Sequence, residues 1–286
     1  MTVRFSKMHG IGNDFVIVDC RTQPFALDPA QIARWGDRHF GIGFDQLLTI
    51  EPGDSGCAFR YGIYNADGSQ ALQCGNGVRC VAAWLQRAGA LGKGAVRLQS
   101  PSGPVSVELL DDGRVRVDMG VPGFAPEDIP LRMPASDIYW LQSNDLDVEF
   151  GAVSMGNPHA VIEIADVANA PLETLGHALS TDSTFPQGCN VGFAQILDRA
   201  HLRLRVWERG AGATLACGSG ACAAVAVLRQ RGKLDADVAV QLPGGVLDIH
   251  WQGADAPVWM SGPAEFVFEG EWVGSVDLHP DGSRCS

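Results

Sequence analysis

Short apolar or alternating runs, separated by glycine and proline, dominate the chain, and this pattern is typical of β-strands. They predict strands at residues 15–19, 46–50, 105–109, 115–119 and 153–155. Two longer stretches, 78–88 and 221–231, contain neither glycine nor proline and are each followed by a glycine, which predicts helices. Both stretches are apolar on nearly every side, so we expect both helices to be buried.

The two predicted helices belong to an internal repeat. Each follows a Cys-Gly-x-Gly motif, CGNG at 74–77 and CGSG at 217–220, and the motifs stand 143 positions apart. Further pairs keep the same order and nearly the same spacing: GN at 12–13 and 156–157, GF-x-Q at 43–46 and 192–195, PSG at 101–103 and PGG at 243–245. Such self-similarity indicates two homologous lobes, each with strands around one buried helix.

The repeat also predicts the domain boundaries. We expect an N-terminal lobe at residues 1–121 and a C-terminal lobe at 122–263, with the segment rich in proline and glycine at 121–134 as the link. The tail, 264–286, lies beyond the second repeat, and we expect it to return to the first lobe as an extra strand.

Composition and charge narrow the function classes. The chain has 286 residues, of which 46% are hydrophobic and 19% charged, an ordinary globular balance. Its net charge of −12 repels phosphate backbones and argues against nucleic-acid binding. No apolar run reaches the length of a membrane span. The N-terminus has no secretory apolar core, so we expect a cytoplasmic protein whose eight cysteines are reduced thiols.

Two cysteines, Cys74 and Cys217, occupy matched places just before the predicted helices. Helix N-termini carry unpaired N–H groups and partial positive charge, so they can hold a carboxylate and lower the pKa of a nearby thiol. Two lobes would bring both ends to one cleft, with the thiols facing each other across a bound anion. This arrangement suits removal of a proton from one face of a carbon and delivery to the other.

Other interpretations remain open. Free cysteine is often a buried apolar residue, which is the expected role of five others: Cys20, Cys57, Cys80, Cys189 and Cys222. Cys285 is expected to be an exposed tail thiol. A zinc site or a Cys-x-x-Cys redox centre would require spacings that the chain lacks, so no metal is expected. A thiol redox or metal-binding protein and a non-catalytic amino-acid-binding module stay as alternatives.

Five long motifs carry a family resemblance. They are FSKMHGIGNDFV at 5–16, GIGFDQLL at 41–48, NADGS with QCGNGVRC within 65–80, GAVSMGNPHAV at 151–161 and WERGAGATLACGSGACAAVAV at 207–227. Together they resemble the diaminopimelate epimerase family. The nearest alternative is another two-thiol amino-acid racemase or isomerase of the same fold.

The resemblance implies an α/β (α+β) fold of two pseudo-symmetric lobes. Each lobe would be a mixed β-barrel around a buried central helix, with the active site in the cleft between them. It also implies epimerisation of LL-2,6-diaminopimelate to the meso isomer without a cofactor, a step in the biosynthesis of lysine and of peptidoglycan precursors.

The resemblance further implies roles for individual residues. Cys74 and Cys217 would be the acid and the base, and His159 and Glu208 would tune the thiols or the reacting amine. Substrate-binding positions would be Asn13, Gln46, Asn65, Gly75, Asn76, Asn157, Asn190, Glu208, Arg209, Gly218 and Ser219. Arg209 suits a bidentate contact with the distal carboxylate, and Glu208 suits an ammonium group.

One position departs from the family pattern. Phe268 stands where the resemblance implies a tyrosine in the dimer contact. The hydrogen bond of that hydroxyl would be missing, but aromatic packing can persist. A homodimer is therefore expected, with the small-molecule substrate as the other partner.

Overall fold

The computed structural model describes residues 2–23, 25, 28–54, 56–92, 94–142 and 147–273, and strands dominate it. In the first half of the chain the described elements are β1 (Thr2–Gly10), β2 (Asn13–Asp19), α1 (Pro29–Gly36), β3 (Gln46–Pro52), β4 (Phe59–Asn65), α2 (Gly75–Arg87), β5 (Gly94–Ser100), β6 (Gly103–Leu109) and β7 (Val115–Asp118). The strands predicted in this half correspond to β2, β3, β6 and β7.

The second half repeats this order with additions. Its described elements are β8 (Tyr139–Gln142), β9 (Asp147–Ser154), β10 (Pro158–Glu163), a 3-10 turn (Val167–Asn169), a π-helical turn (Leu172–Gly176), α3 (His177–Ser180), β11 (Asn190–Asp198), β12 (His201–Glu208), β13 (Gly212–Thr214), α4 (Gly218–Gln230), β14 (Asp237–Leu242), β15 (Gly245–His250), β16 (Trp259–Gly262) and β17 (Glu265–Val273). The strand predicted at 153–155 overlaps the end of β9.

Strand pairing follows one scheme twice. β2 and β3 are parallel neighbours, as are β10 and β11. β4 runs parallel to β5 on either side of α2 in the sequence, and β12 runs parallel to β14 on either side of α4. The antiparallel series β5–β6–β7 corresponds to β14–β15–β16. The predicted two-lobe α+β fold is therefore confirmed.

Two further pairings connect the halves of the chain. β7 and β16 run antiparallel, with Val117 opposite Met260, so the sheet continues from one lobe into the other. β17 runs antiparallel to β1, with Ser6 opposite Glu269. This pairing is the one expected of a tail strand that returns to the first lobe. The lobe boundaries at 121/122 and 263/264 stay a prediction. Residues 274–286, including Cys285, lie outside the described residues.

The two central helices are buried, as their composition predicts. In α4 every side chain from Ala221 to Leu228 is at most 3% exposed. α2 differs, because it buries the charged side chain of Arg79 among its apolar residues. Both helices begin directly after the motif cysteines, three residues before the predicted starts at 78 and 221. Within the described residues, no helix is long and apolar enough to cross a bilayer.

Both central helices share one hydrophobic core. That cluster contains Val81 and Leu85 of α2 together with Val225 and Leu228 of α4. Separate clusters pack on the outer faces of the sheets, around Trp35 in the first lobe and around other aromatic residues in the second. The position of one helix is therefore coupled to the other by apolar packing.

This shared core predicts a large effect of shortening a side chain in α4. Leu228→Ala removes a fully buried side chain, and we expect a loss of about 2–5 kcal/mol in the free energy of unfolding. Leu197→Ala is the matched control, because Leu197 is 47% exposed and its truncation should change stability by less than about 0.5 kcal/mol. Urea unfolding monitored by circular dichroism measures both, and equal effects would contradict the packing argument.

Candidate active site

The N-termini of α2 and α4 meet at the centre of the molecule. Asn76, in the first turn of α2, donates from Nδ2 to the carbonyl oxygen of Ala216 at 3.3 Å, just before Cys217. Glycine allows close packing at both helix starts. A methyl group on Gly75 would lie 2.8 Å from Met260 Cε, and one on Gly218 would lie 2.9 Å from Met260 Sδ. The small residues therefore allow the two helix ends to approach the same methionine.

Cys74 is the N-cap residue of α2. Its Sγ accepts a hydrogen bond from the backbone N–H of Gly77 at 3.3 Å. Asn13, the first residue of β2, places its Oδ1 3.8 Å from the same sulfur and accepts from Asn76 Nδ2 at 3.2 Å. The thiol is thus enclosed by one backbone donor and one side-chain acceptor.

Cys217 is the corresponding N-cap residue of α4. Its sulfur lies 3.8 Å from Ser219 Oγ, and the carboxylate of Glu208 is close enough to raise the pKa of the thiol. Glu208 accepts from Thr214 Oγ1 at 2.5 Å. Its charge acts on Cys74 as well as on Cys217. Glu208 therefore couples electrostatically to both thiols.

Burial decides the protonation of these groups. It raises the pKa of the Cys74 thiol to about 11, although the Gly77 N–H works in the opposite direction. Burial and the Glu208 carboxylate also raise the pKa of Cys217 well above its usual range. The backbone N–H groups of the helix ends lower both thiol pKa values, but the loss of hydration outweighs this stabilisation.

Two amides of the first lobe form a pair at one end of strands β3 and β4. Gln46 lies opposite Asn65 in the strand register and donates from Nε2 to Asn65 Oδ1 at 3.0 Å. Asn65 in turn donates to Ser69 Oγ at 3.0 Å. The buried Oε1 of Gln46 has no hydrogen-bond partner among the described residues, so it is available to a ligand donor.

The polar residues of the second lobe form a chain of contacts. His159 Nε2 lies 3.0 Å from Asn157 Oδ1, and His159 is opposite Asn190 in the register of β10 and β11. Asn190 Oδ1 accepts from the backbone N–H of Arg209 at 3.0 Å. Burial, with a smaller contribution from the Arg209 charge, lowers the pKa of His159 to about 3. The imidazole is therefore neutral at physiological pH.

Arg209 directs its guanidinium toward Gln187. Its Nη1 donates to the carbonyl oxygen of Gln187 at 2.7 Å. The side chain lines a cavity of about 740 Å³ together with Trp207 and His177, and neither motif cysteine lines that cavity. Asn13, Gly75, Asn76, Gly218 and Ser219 lie at the two helix ends. The remaining predicted residues belong to the groups of polar contacts described above.

A comparison with known sequences identifies the family. The family model described as diaminopimelate epimerase matches residues 5–125 and 151–267, most of the chain. The chain belongs to the diaminopimelate epimerase family. A diaminopimelate epimerase of Xanthomonas axonopodis pv. citri is 56% identical over 273 residues, which cover 94% of this chain and 96% of the relative. That of Nitrosomonas europaea is 51% identical over 280 residues, which cover 97% and 100%.

Solved structures support the fold at greater distance. A hydroxyproline epimerase from Agrobacterium vitis superposes with a TM-score of 0.70 at 15% identity, covering 98% of this chain and 94% of the other. A predicted epimerase from Pseudomonas aeruginosa gives a TM-score of 0.69 at 20% identity, covering 96% and 100%. At such low sequence identity, the two similarities establish only that the chain has the same two-lobe fold as these proteins.

Sequence reasoning missed several charged residues next to the site. Asp45 contacts Asn13, and Arg38 bridges Asp45 and Asp14. Arg79 is buried in α2 behind the helix ends, and its Nη2 has no hydrogen-bond partner in the described structure. Asp14, Asp45 and Arg79 all fall within the motifs that carry the family resemblance, so a signal was present. Within the described residues, no three His, Cys, Asp or Glu side chains are grouped to hold a metal ion.

The buried imidazole predicts a pH dependence of stability. Because the folded-state pKa of His159 lies near 3, below its usual 6.5, the unfolded chain binds a proton between these values that the native state does not. The contribution of His159 is therefore complete above pH 6.5 and is lost as the pH falls toward 3, by up to about 1.4 kcal/mol per pH unit.

The measurement is urea unfolding from pH 7 to pH 4 for the parent and His159→Gln. The variant should lose part of the decline in stability on acidification, although its stability at pH 7 can differ. His201→Gln, at an exposed contact with Asp198, is the control and should keep the full decline. Parallel curves for the parent and His159→Gln would show that the imidazole is already charged in the native state.

Proposed function

We propose that the protein epimerises LL-2,6-diaminopimelate to meso-diaminopimelate by a cofactor-independent mechanism with two cysteines. The observation that carries this proposal is the pair of thiols, half-buried Cys74 and buried Cys217, at two helix N-termini that lie against each other. Family membership supports the substrate, since the named relatives are similar over nearly the full length of the chain.

The proposed reaction moves one proton off the α-carbon and another onto its opposite face. A thiolate at one cysteine takes the α-proton, and the electron pair of the broken C–H bond remains on the carbon. The second cysteine then gives its S–H proton to that carbon and becomes a thiolate. Gly75, Asn76, Gly218 and Ser219 would hold the adjacent carboxylate through the N–H groups of the helix ends. Proton exchange with water restores the starting thiol and thiolate.

Substrate binding can supply the thiolate that this reaction requires. Glu208 raises the pKa of both thiols through its charge. An α-ammonium group bound to Glu208 would neutralise that charge and lower both thiol pKa values. In this proposal Glu208 binds the reacting amine, and neutral His159 adds polar contact nearby. The reactive thiolate would then form only when the substrate is bound.

We assign recognition of the distal stereocentre of the substrate to the asparagine side chains and to Arg209. Asn65, Asn157 and Asn190 offer both donors and acceptors, which suits an ammonium and a carboxylate on a second stereocentre. Arg209 would exchange its bond to the Gln187 carbonyl for a bidentate contact with the distal carboxylate. Asn13 and Gln46 complete the set from the first lobe.

A second two-thiol racemase or isomerase activity is the alternative. The structural similarity to a hydroxyproline epimerase favours it, because the fold itself accommodates other substrates. Small cyclic amino acids carry no distal carboxylate, so they would leave Arg209 without its proposed ligand. The choice between the two candidates therefore depends on substrate, not on the arrangement of the thiols.

We further propose a cytoplasmic homodimer that serves lysine and peptidoglycan precursor biosynthesis. β17 pairs with β1 and exposes apolar side chains, including Val267 and Phe268. Phe268 also packs edge-on against Phe5, with ring centroids 6.0 Å apart. An exposed apolar strand of this kind suits the contact with a second copy, and the aromatic ring needs no hydroxyl to pack there.

The direct test is incubation with LL-diaminopimelate followed by chiral separation of the products. The parent should form the meso isomer, while Cys74→Ala and Cys217→Ala should each reduce turnover by several orders of magnitude, because each loses one proton-transfer group. Cys57→Ser is the control, since Cys57 contacts Gln99 on the surface side of the first lobe. Proline and hydroxyproline are tested in parallel, and turnover of these alone would favour the alternative.

The two-cysteine mechanism makes a separate prediction in heavy water. The delivered proton comes from the second sulfur, which exchanges with solvent before substrate binds. Product at low conversion should therefore carry deuterium at the inverted carbon, while unreacted substrate stays mostly protonated. Mass spectrometry distinguishes these species. Early product that keeps the original proton would indicate a single base acting on both faces.

A further inference from the structure

The side chain of Asn13 is bound at both ends of its amide. On one side its Nδ2 donates to Asp45 Oδ2 at 2.8 Å. On the other side its Oδ1 accepts from Asn76 Nδ2 at 3.2 Å and lies 3.8 Å from Cys74 Sγ. Asp45 therefore reaches the sulfur of Cys74 through a single intervening amide.

The carboxylate of Asp45 is itself held in place. Arg38 Nη2 donates to Asp45 Oδ1 at 2.8 Å and to Asp14 Oδ1 at 2.7 Å. The backbone N–H groups of Asp14 and Asp45 each donate to the other residue's carboxylate at 3.1 Å. Lys7, which is almost fully buried, adds a second cation on Asp14. This network anchors Asp45 from several directions.

The charges in this network reinforce one another. Burial raises the pKa of Asp14, but hydrogen bonds and charges from Arg38 and Lys7 outweigh it and lower that pKa to about 2. Asp14 is therefore ionised at every pH at which the protein would work. A permanent anion keeps Arg38 between the two carboxylates, and Arg38 in turn keeps Asp45 oriented toward Asn13.

The amide of Asn13 can take only one orientation in these surroundings. A carboxylate accepts hydrogen bonds but cannot donate them, so the amide nitrogen must face Asp45. The amide oxygen then faces Asn76 Nδ2 and Cys74. The reverse orientation would set oxygen against carboxylate and NH₂ against NH₂, losing two hydrogen bonds. Asp45 thus determines which atom of Asn13 is presented to the thiol.

We propose that Asp45 is a positioning residue that holds the Asn13 carbonyl oxygen toward Cys74. An acceptor facing the sulfur favours the thiol over the thiolate, and it also fixes the direction of the S–H bond. Without Asp45, Asn13 can turn its NH₂ group toward the sulfur and stabilise the thiolate instead. The inference adds to the proposed function, because it names what sets the protonation of one of the two thiols.

Other charged and titratable groups also face Cys74. Glu208 on β12 and Arg79 on the same helix act on its pKa in opposite directions. Cys80 and Tyr61 are buried neighbours whose pKa values respond to the Cys74 charge. A substitution at Asp45 leaves all four side chains in place, but it removes a charge that raises the pKa of Glu208. The Asn13→Ala background is therefore needed to separate the effect of the Asn13 amide from this electrostatic effect.

The test measures the pH dependence of Cys74 alkylation by iodoacetamide, followed by peptide mapping. Asp45→Ala should lower the pH midpoint by about one unit, because the thiolate gains a donor. The same substitution in an Asn13→Ala background should cause no further shift, because the amide that transmits the effect is gone. Asp54→Ala, an exposed acidic residue in the same lobe, is the control and should leave the midpoint unchanged.

Activity with LL-diaminopimelate supplies the second readout. Asp45→Ala should lower kcat by about tenfold or more, and in the Asn13→Ala background it should add little to the loss. Alkylation requires no substrate, so a failure of the proposed function would leave the first readout intact.

Circular dichroism checks that each variant folds. Asp45→Asn keeps one acceptor for Asn13, so its alkylation midpoint should shift less than that of Asp45→Ala.

Two outcomes would overturn the inference. An unchanged midpoint in folded Asp45→Ala would show that Asp45 does not control the Asn13 amide. An equal shift with and without Asn13 would show that Asp45 acts through its charge alone. If Asp45→Ala does not fold, Asp45→Asn and its Asn13→Ala double variant provide the same comparison.

Discussion

The contact between the two helix N-termini inside one apolar core is the constraint on which the other features depend. Asn76 bonds to the carbonyl before Cys217, and Gly75 and Gly218 both pack on Met260. A side chain larger than hydrogen at either glycine would press against the end of the Met260 side chain. Because α2 and α4 share one hydrophobic cluster, the separation of the two thiols is fixed by packing along the helices.

Enclosing two helix ends in a core has an electrostatic consequence. Removing water raises the pKa of both thiols and of Glu208 and lowers that of His159. The N–H groups at the helix ends work against this effect for the thiols but do not overcome it. Both sulfurs are therefore neutral at physiological pH, and a ligand that brings positive charge to Glu208 would alter the balance.

The two copies of the repeat have diverged around matched cysteines. Cys74 faces an amide that a network of charged residues orients, whereas Cys217 faces the carboxylate of Glu208 directly. The backbone around the two residues is nearly the same, since both are extended N-cap positions. The lobes thus supply equivalent geometry and different polar surroundings, as a site that acts on two different faces of a carbon would require.

The sequence by itself determined the repeat, the buried helices and the two matched cysteines, because these follow from local periodicity and short motifs. It also contained Asp45 and Arg79, but local pattern gives no sign of which groups these charged side chains will meet. Tertiary structure alone decided that Asp45 holds Asn13 and that Arg209 turns toward Gln187. It also decided the direction of the thiol pKa shifts, because desolvation depends on how many groups from distant parts of the chain exclude water.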